Sequence, residues 1–234
     1  MIVILAVDAL EHSLVEKFDL ANLKQKSYGK TNLDDFSEPR TMVLWPSILS
    51  GENKEKEVLS MGDRDMWNYK LPSEKTFFSF FKKHLAIDVP GYSQDIEYHN
   101  KERMLLKQYF DHKITVEEFD VPIFEHYNKI KAEFLEALTK DYDIVMGYVG
   151  LADVVGHLSF GIESKMKMIY REIDDLAKKA EENADVMMIL SDHGMEAVGR
   201  YGDHSNHGFW SLNVKMELGT ITPMHVYGII KNLI

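Results

Sequence analysis

The run Val186-Met187-Met188-Ile189-Leu190-Ser191-Asp192-His193-Gly194-Met195 is apolar in its first half and then turns abruptly polar. An uninterrupted apolar run of this length predicts a strand that is buried on both faces. In open α/β sheets, ligands bind at the carboxyl ends of such strands, and Asp192 and His193 stand at that position. A strand followed by an ordinary polar turn would produce the same pattern, so this run alone does not establish a site.

Two further apolar runs end in the same way. Ile2-Val3-Ile4-Leu5-Ala6-Val7 leads into Asp8, and residues 142–149 are followed by Asp153-Val154-Val155-Gly156-His157. Because parallel strands end at a common edge of their sheet, we expect these acids and imidazoles to meet there although they are far apart in sequence. Strand-like runs alternate with amphipathic, helix-like stretches along the chain, which predicts a layered α/β fold.

Residues 203–208, interpreted as a loop, add two more imidazoles to this set of polar side chains. Mixed Asp and His ligands suit zinc, iron or manganese better than calcium or magnesium, which prefer oxygen ligands alone. The set has room for two ions, and a pair of ions can clamp the attacking and leaving oxygens of a phosphoryl transfer. The candidate ligands are Asp8, Asp153, His157, Asp192, His193, His204 and His207.

Residues 39–51 offer a hydroxyl nucleophile. The sequence predicts a loop that turns into a short helix, with Pro46 near its start and Gly51 at its end. Thr41 would then lie at the helix N-terminus, where backbone N–H groups favour a phosphate, and contact with a metal would activate its hydroxyl. From the local sequence alone, a simple helix-capping role for Thr41 is the commoner outcome. The neighbouring Arg40 could orient a phosphate, although a solvent-facing arginine is the commoner outcome.

Taken together, these motifs resemble the alkaline phosphatase superfamily, in particular its type I phosphodiesterase/nucleotide pyrophosphatase branch. They occur in the order of that family and extend from residue 8 to residue 208. The matching pieces are the strand end Val7-Asp8-Ala9, the nucleophile pattern T-x-x-x-x-x-S-[IL]-[VL]-[TS]-G from Thr41 to Gly51, the D-x-x-G-H element from Asp153 to His157, the D-H-G-M element from Asp192 to Met195, and the H-G pair His207-Gly208.

The resemblance implies a three-layer α/β/α sandwich with a mostly parallel central sheet, and an enzyme that hydrolyses phosphate esters. Thr41 would attack phosphorus and form a phospho-threonine intermediate. The implied cofactors are two divalent cations, with zinc expected first and manganese or iron as alternatives. One cation would be held by Asp153, His157 and His207, and the other by Asp8, Thr41, Asp192 and His193.

Two departures leave the reaction within the superfamily open. Ala9 follows Asp8 where the branch carries glycine, and the asparagine that follows its nucleophile has no counterpart around residues 60–63. A phosphodiesterase or nucleotide pyrophosphatase is therefore our first interpretation. Phosphomonoester hydrolysis, phosphoglycerate mutase-type phosphotransfer, sulfatase activity and a non-catalytic metal-binding protein of the same fold are the alternatives. His204 could also contact substrate or orient a ligand from beside His207.

Charge and composition limit the classes of molecule that this protein is expected to bind. A net charge of -11 argues against a nucleic-acid groove and against an anionic membrane surface, whereas two dications could still attract a small phosphate ester or nucleotide. The chain has no cysteine, which excludes disulfides and thiol catalysis and is compatible with a reducing cytosol. We find no leader-like or membrane-spanning stretch, so we expect a cytoplasmic protein. Oligomeric state is left open.

The length of 234 residues predicts one domain, residues 1–234. Apolar spacing predicts helices over residues 73–85 and 122–138, among others. Residues 91–121 are polar and aromatic and show no clear period. They are interpreted either as a small lid or insert over the site or as a peripheral helical excursion.

Overall fold

The computed structural model describes residues 1–234 as a central sheet between two layers of helices, with a small separate two-stranded sheet beside it. The strands are β1 (Ile2–Val7), β2 (Ser27–Asn32), β3 (His84–Ile87), β4 (Ile144–Val149), β5 (Val186–Leu190), β6 (Gly194–Val198), β7 (Tyr201–Ser205) and β8 (His207–Leu212). The helices are α1 (His12–Lys17), α2 (Ala21–Lys24), α3 (Thr41–Ser50), α4 (Glu55–Leu59), α5 (Gly62–Asp65), α6 (Ile96–Phe110), α7 (Val116–Ala137), α8 (Leu151–Ser159), α9 (Glu163–Glu181) and α10 (His225–Asn232).

The main sheet has the strand order β2-β8-β5-β1-β4-β3. Strands β3, β4, β1 and β5 are parallel, and β8 runs antiparallel to both β5 and β2. The predicted α/β sandwich with a mostly parallel sheet is therefore confirmed. Val7 at the end of β1 is in register with Val149 of β4, and Ala6 is in register with Leu190 of β5. The three apolar runs consequently end side by side.

Apolar side chains cover both faces of the sheet, which explains why β1 is apolar throughout. Val3, Leu5 and Val7 belong to the core beneath α7, α8 and α9. The alternate residues of β1 belong to the opposite core, which is formed with α3 and α10. A strand buried on both faces must be apolar at every position, whereas a half-exposed strand would alternate.

The predicted helix over residues 73–85 is wrong. The chain instead makes 3₁₀ turns at Ser73–Lys75 and Phe77–Phe80 and then enters β3. Phe77 and Phe78 are both fully buried. Adjacent residues point about 100° apart on an α-helix, so a solvent-facing helix could not bury both well, whereas a tight turn pressed into the core can.

The predicted helix over residues 122–138 is present but begins earlier. Helix α7 starts at Val116, after a capping box in which Thr115 and Glu118 satisfy each other's backbone N–H groups. Pro122 lies in the second turn of this helix, where it removes one backbone hydrogen bond, and the helix continues through it. None of the helices combines the length and apolar character needed to cross a bilayer.

Candidate active site

Three adjacent strands deliver acidic side chains to one edge of the sheet. Asp8 directly follows β1, and Asp192 and His193 follow β5. Asp153 and His157 lie on α8, which begins right after β4, and their spacing of one helical turn puts both on the same helix face. Asp8, Asp192 and His193 are almost completely inaccessible to solvent, with exposures of 2%, 0% and 0%. The fold therefore buries carboxylates and imidazoles together.

These side chains form two groups that could each hold a metal ion. Within each group, the potential ligand atoms all lie within 4.8 Å of one another. His193 belongs to both groups and therefore lies between them, with its ring stacked on that of His204 at a centroid distance of 3.8 Å. The groups are Asp8, Asp192 and His193, and Asp153, His193 and His204.

Three histidines share one orientation at this edge. In each of them Nδ1 lies next to a backbone carbonyl, so an Nδ1–H donates to the chain and the Nε2 lone pair faces inward. Metal-binding histidines are oriented in this way, by a hydrogen bond from the ring nitrogen that does not bind the metal. The Nδ1-to-carbonyl-oxygen distances are 3.3 Å from His157 to Gly202, 3.0 Å from His193 to Gly194 and 2.8 Å from His204 to Pro39.

The Nε2 atoms of these histidines point at the carboxylates. His193 Nε2 lies 3.2 Å from Asp8 Oδ1 and 3.5 Å from Asp192 Oδ2. Asp153 Oδ1 lies 3.3 Å from His157 Nε2 and 3.4 Å from His204 Nε2. His157 Nε2 and His204 Nε2 are themselves 3.3 Å apart. Lone pairs from several residues thus converge on a small volume.

Several buried carboxylate oxygens here lack a good hydrogen bond. Both oxygens of Asp192 have no hydrogen-bond partner, and Oδ1 of Asp8 and Oδ1 of Asp153 meet only the imidazole Nε2 atoms at 3.2–3.4 Å. Buried oxygens of this kind are costly unless a donor or a cation meets them. A divalent cation would satisfy them, so the donor set fits a metal on both charge and geometry.

The pKa values in this cluster reflect the same crowding. Burial and the negative charge of Asp153 raise the pKa of Asp8, and burial and the charge of Asp8 raise the pKa of Asp192 well above its usual range. Burial and the nearby His204 lower the pKa of His193 to about 3. His193 is therefore a neutral imidazole, which is the form that binds metal.

Thr41 lies against this cluster as the first residue of α3. Its Oγ1 atom is 3.4 Å from both Asp8 Oδ2 and His193 Nε2. The first N–H groups of a helix have no partner within the helix and favour an anion at this point. Thr41 also lines a cavity of about 220 Å³, together with Asp8, Asp153 and His157. The hydroxyl is thus open to a small ligand.

The structure does not place His207 with Asp153 and His157, as the resemblance implied. His207 Nε2 instead lies 3.1 Å from Glu11 Oε2, and its place beside Asp153 is taken by His204. Residues 203–208 are also not a free loop, because they comprise the end of β7 and the start of β8. Pairing of β7 with β6 holds His204 opposite Met195, and this register directs its ring toward the cluster.

Arg40 is engaged in ion pairs outside the cavity. It precedes α3 and contacts Glu38 Oε2 at 2.5 Å and Asp63 Oδ1 at 2.7 Å. It is not among the residues that line the cavity beside Thr41. Both of its partners are largely exposed, so these ion pairs hold the residue that precedes α3 at the protein surface.

Other cavity residues were not singled out from the sequence. Tyr148 in β4 is buried, and its hydroxyl donates a hydrogen bond to Asp8 Oδ2. A tyrosine in an otherwise aliphatic buried strand is the signal that could have indicated it, because a buried hydroxyl needs a partner. The far wall of the cavity comes from the segment whose role the sequence left open, and it includes Gln94, His99, Glu102, Arg103 and Leu106.

Known structures share this fold. Murine ectonucleotide pyrophosphatase/phosphodiesterase 5 superposes with a TM-score of 0.50 at 13% sequence identity, over 85% of this chain and 58% of the murine chain. Alkaline phosphatase from the Antarctic bacterium TAB5 superposes with a TM-score of 0.55 at 11% identity, over 99% of this chain and 96% of the bacterial chain. The chain thus spans little more than half the length of the murine protein. No curated protein sequence matches it.

Residues 52–215 match the family model of type I phosphodiesterases/nucleotide pyrophosphatases. This segment makes up most of the chain and contains Asp153, His157, Asp192 and His193, whereas Thr41 precedes it. The chain belongs to the type I phosphodiesterase/nucleotide pyrophosphatase family.

Proposed function

We propose that this protein is a two-metal phosphoric ester hydrolase in which Thr41 is the nucleophile, acting as a phosphodiesterase or nucleotide pyrophosphatase. One observation carries the proposal. The hydroxyl of Thr41 lies 3.4 Å from Asp8 Oδ2 and from His193 Nε2, next to Asp192, whose two buried carboxylate oxygens have no hydrogen-bond partner. Buried carboxylates of this kind are unfavourable unless they take up a proton or meet a cation, and a bound cation would also use the imidazole nitrogen of His193.

The ligand atoms divide between two cations. Asp8, Thr41, Asp192 and His193 would hold one. Asp153, His157 and His204 would hold the other, with His204 in place of His207, because the Nε2 atoms of His157 and His204 both face Asp153 Oδ1. The mixture of carboxylate and imidazole favours zinc, with manganese or iron next.

When bound, two divalent cations would neutralise the buried carboxylates and stabilise charge on the attacking and leaving oxygens. In the first step, Thr41 Oγ1 loses its proton and attacks phosphorus, the bond from phosphorus to the leaving oxygen breaks, and a phospho-threonine forms. In the second step, water attacks the same phosphorus and restores the hydroxyl. The hydrogen bond from Tyr148 fixes the carboxylate of Asp8 against Thr41 throughout.

The cavity indicates the size of the substrate. Its volume of about 220 Å³ is smaller than that of pockets for drug-sized ligands, which are roughly 300–1,000 Å³. A small phosphate ester or a nucleotide fragment fits such a space, and a polymer does not. The type I phosphodiesterase/nucleotide pyrophosphatase family supports a diester or pyrophosphate bond, whereas the bacterial neighbour is by name an alkaline phosphatase.

The test is a hydrolysis assay with protein reconstituted with zinc or manganese. Bis(4-nitrophenyl) phosphate, 4-nitrophenyl phosphate and 4-nitrophenyl sulfate represent diester, monoester and sulfate substrates. We expect turnover of the diester to exceed that of the other two, and Thr41→Ala to abolish it. Preference for the monoester or the sulfate would change the reaction assigned. No metal-dependent turnover of any of the three would contradict the proposal.

A further inference from the structure

The lining of the cavity beside Thr41 also includes a cationic and aromatic pair on the side of α6. The guanidinium of Arg103 lies over the ring of Trp67, with Cζ 3.8 Å from the ring centroid. Leu106 and Pro90 are apolar residues of the same lining. A guanidinium stacked on an aromatic face is held flat, with the N–H groups at its edge free to donate.

Arg103 is the only lysine or arginine that lines this cavity, and no acidic side chain forms an ion pair with it. Its one hydrogen-bond partner is the amide oxygen of Asn100. The neighbouring Glu102 is near enough for its charge to act on Arg103, but its carboxylate pairs with His99 at 2.9 Å and not with the guanidinium. A half-buried cation that has no direct ion-pair partner and faces a cavity is typical of an anion-binding position.

Helix α6 is firmly held, so Arg103 is presented in a fixed place. The carboxylate of Asp88, at the end of β3, accepts hydrogen bonds from the backbone N–H of Asp95 at 2.7 Å and from His126 of α7 at 2.9 Å. It also lies 3.3 Å from Nε2 of His99. His99 and Arg103 are four residues apart and therefore lie on the same side of α6. Anchoring of His99 thus positions Arg103 at the cavity.

We propose that Arg103 binds a second anionic group of the substrate, a carboxylate or a phosphate separate from the phosphoryl group that reacts at Thr41. This inference rests on the proposed function and deepens it by naming the substrate class. The substrate is a phosphate ester with a negative charge at each end. Planar bidentate recognition of an oxyanion is the interaction for which a stacked guanidinium is suited. Segment 91–121 then acts as the specificity wall of the site.

Binding of phosphonates that are not hydrolysed tests the proposal independently of turnover. Calorimetry on zinc-loaded protein would compare benzylphosphonate, which has no P–O–C bond, with two analogues that carry a carboxylate or a second phosphonate on the ring. We expect at least one analogue to bind about tenfold or more tightly than the parent compound. Arg103→Met keeps a long side chain over Trp67 without the charge, and it should remove this advantage while leaving the affinity for the parent compound unchanged. Arg171→Met, on the exposed face of α9, is the matched control and should leave both unchanged.

The preferred analogue separates the two anion types. Equal binding of all three phosphonates by the wild-type protein, or failure of all three to bind, would overturn the proposal. An equal loss of affinity for all three in Arg103→Met would also overturn it, because Arg103 would then bind the reacting group. Hydrolysis of 4-nitrophenyl phenyl phosphate is measured in parallel. A retained binding preference without hydrolysis would reject the proposed function and keep the anion site, and hydrolysis without a preference would do the reverse.

Discussion

Two buried clusters of acids and histidines lie near each other in this protein, and they differ in how their charges are balanced. The site cluster consists of Asp8, Asp153, Asp192, His157, His193 and His204. The Asp88 cluster consists of Asp88, His99, Glu102 and His126. Both are assembled at the carboxyl ends of parallel strands from the same residue types. Residue type alone therefore does not distinguish a candidate metal site from a structural ion-pair network.

Hydrogen bonding distinguishes them. In the Asp88 cluster both carboxylate oxygens of Asp88 have imidazole or N–H partners. Burial opposes ionisation there, but the hydrogen bonds from His126 and His99 outweigh it and lower the pKa of Asp88 to about 2. Burial likewise opposes the charge of His99, but its hydrogen bonds to Asp88 and Glu102 raise its pKa to about 10. Protein groups therefore balance the charge of Asp88, and this cluster needs no bound cation.

The site cluster differs on its Asp8 and Asp192 side. There, His193 donates its Nδ1–H to a backbone carbonyl, and burial and His204 lower its pKa to about 3, so it carries no charge to neutralise these carboxylates. On the other side, the charge of Asp153 raises the pKa of His157 to about 9, and the two side chains pair. Asp8 and Asp192 consequently have raised pKa values, and both oxygens of Asp192 have no hydrogen-bond partner. The comparison teaches that unmatched buried lone pairs, rather than the mere presence of Asp and His, indicate a cation site.

The largest expected effect comes from the nucleophile. Thr41→Ala should reduce turnover about a thousandfold or more, because it removes the attacking oxygen, while metal should remain at the Asp153 side of the site. Thr41→Ser should retain part of the activity, since it keeps the hydroxyl. Steady-state kinetics with metal analysis measures both. Near wild-type turnover by Thr41→Ala would mean that water attacks directly.

The next effect separates His204 from His207, the two histidines of residues 203–208. His204→Ala should weaken binding of one cation about a hundredfold, because His204 Nε2 faces Asp153. His207→Ala should leave cation binding nearly unchanged and should instead destabilise the fold, since His207 pairs with the buried Glu11. Metal titration of the two variants checks this. The reverse order would return the ligand role to His207.

Disruption of the Asp88 cluster should lower the stability of the fold and leave metal bound at the site cluster. Asp88→Asn should lower the free energy of unfolding by about 3–5 kcal/mol, since it leaves a buried His99 without one of its partners. Metal content should be unchanged, which elemental analysis can check. Loss of metal from this variant would show that the two clusters are one unit.

The difference in unfolding free energy between the wild type and Asp88→Asn should change with pH in a predictable direction. The pKa of Asp88 is lower in the folded protein, so its contribution is present above pH 3.8 and is lost as the pH falls through about 2. The pKa of His99 is raised, so its contribution is complete below pH 6.5 and is lost as the pH rises through about 10. The stability gap between the wild type and Asp88→Asn should therefore be widest between about pH 4 and 6.5 and shrink in alkali, as measured by urea unfolding.

The sequence predicted a mostly parallel sheet, and the structure confirms it. The prediction was possible because each buried strand is a continuous apolar run, which can be recognised without knowing which strands lie beside it. Convergence of Asp8 with Asp192 followed from parallel topology alone. The orientation of His204 could not be predicted, since it depends on the register between β6 and β7. The place of Arg103 could not be predicted either, because it results from the packing of α6 against the end of β3 through Asp88, which no periodicity in the sequence reveals.

Urea unfolding in the presence of a chelator tests the difference between the clusters most directly. Without metal, the buried Asp192 must either keep a negative charge without a partner or take up a proton on folding, as its raised pKa indicates. Asp192→Asn removes that cost, so we expect it to raise the free energy of unfolding by about 1–2 kcal/mol. Asp88→Asn should lower it under the same conditions. With zinc restored, the wild type should gain stability and Asp192→Asn should gain less. Destabilisation of the chelated protein by both substitutions alike would contradict the account, because the site cluster would then be a completed network that needs no cation.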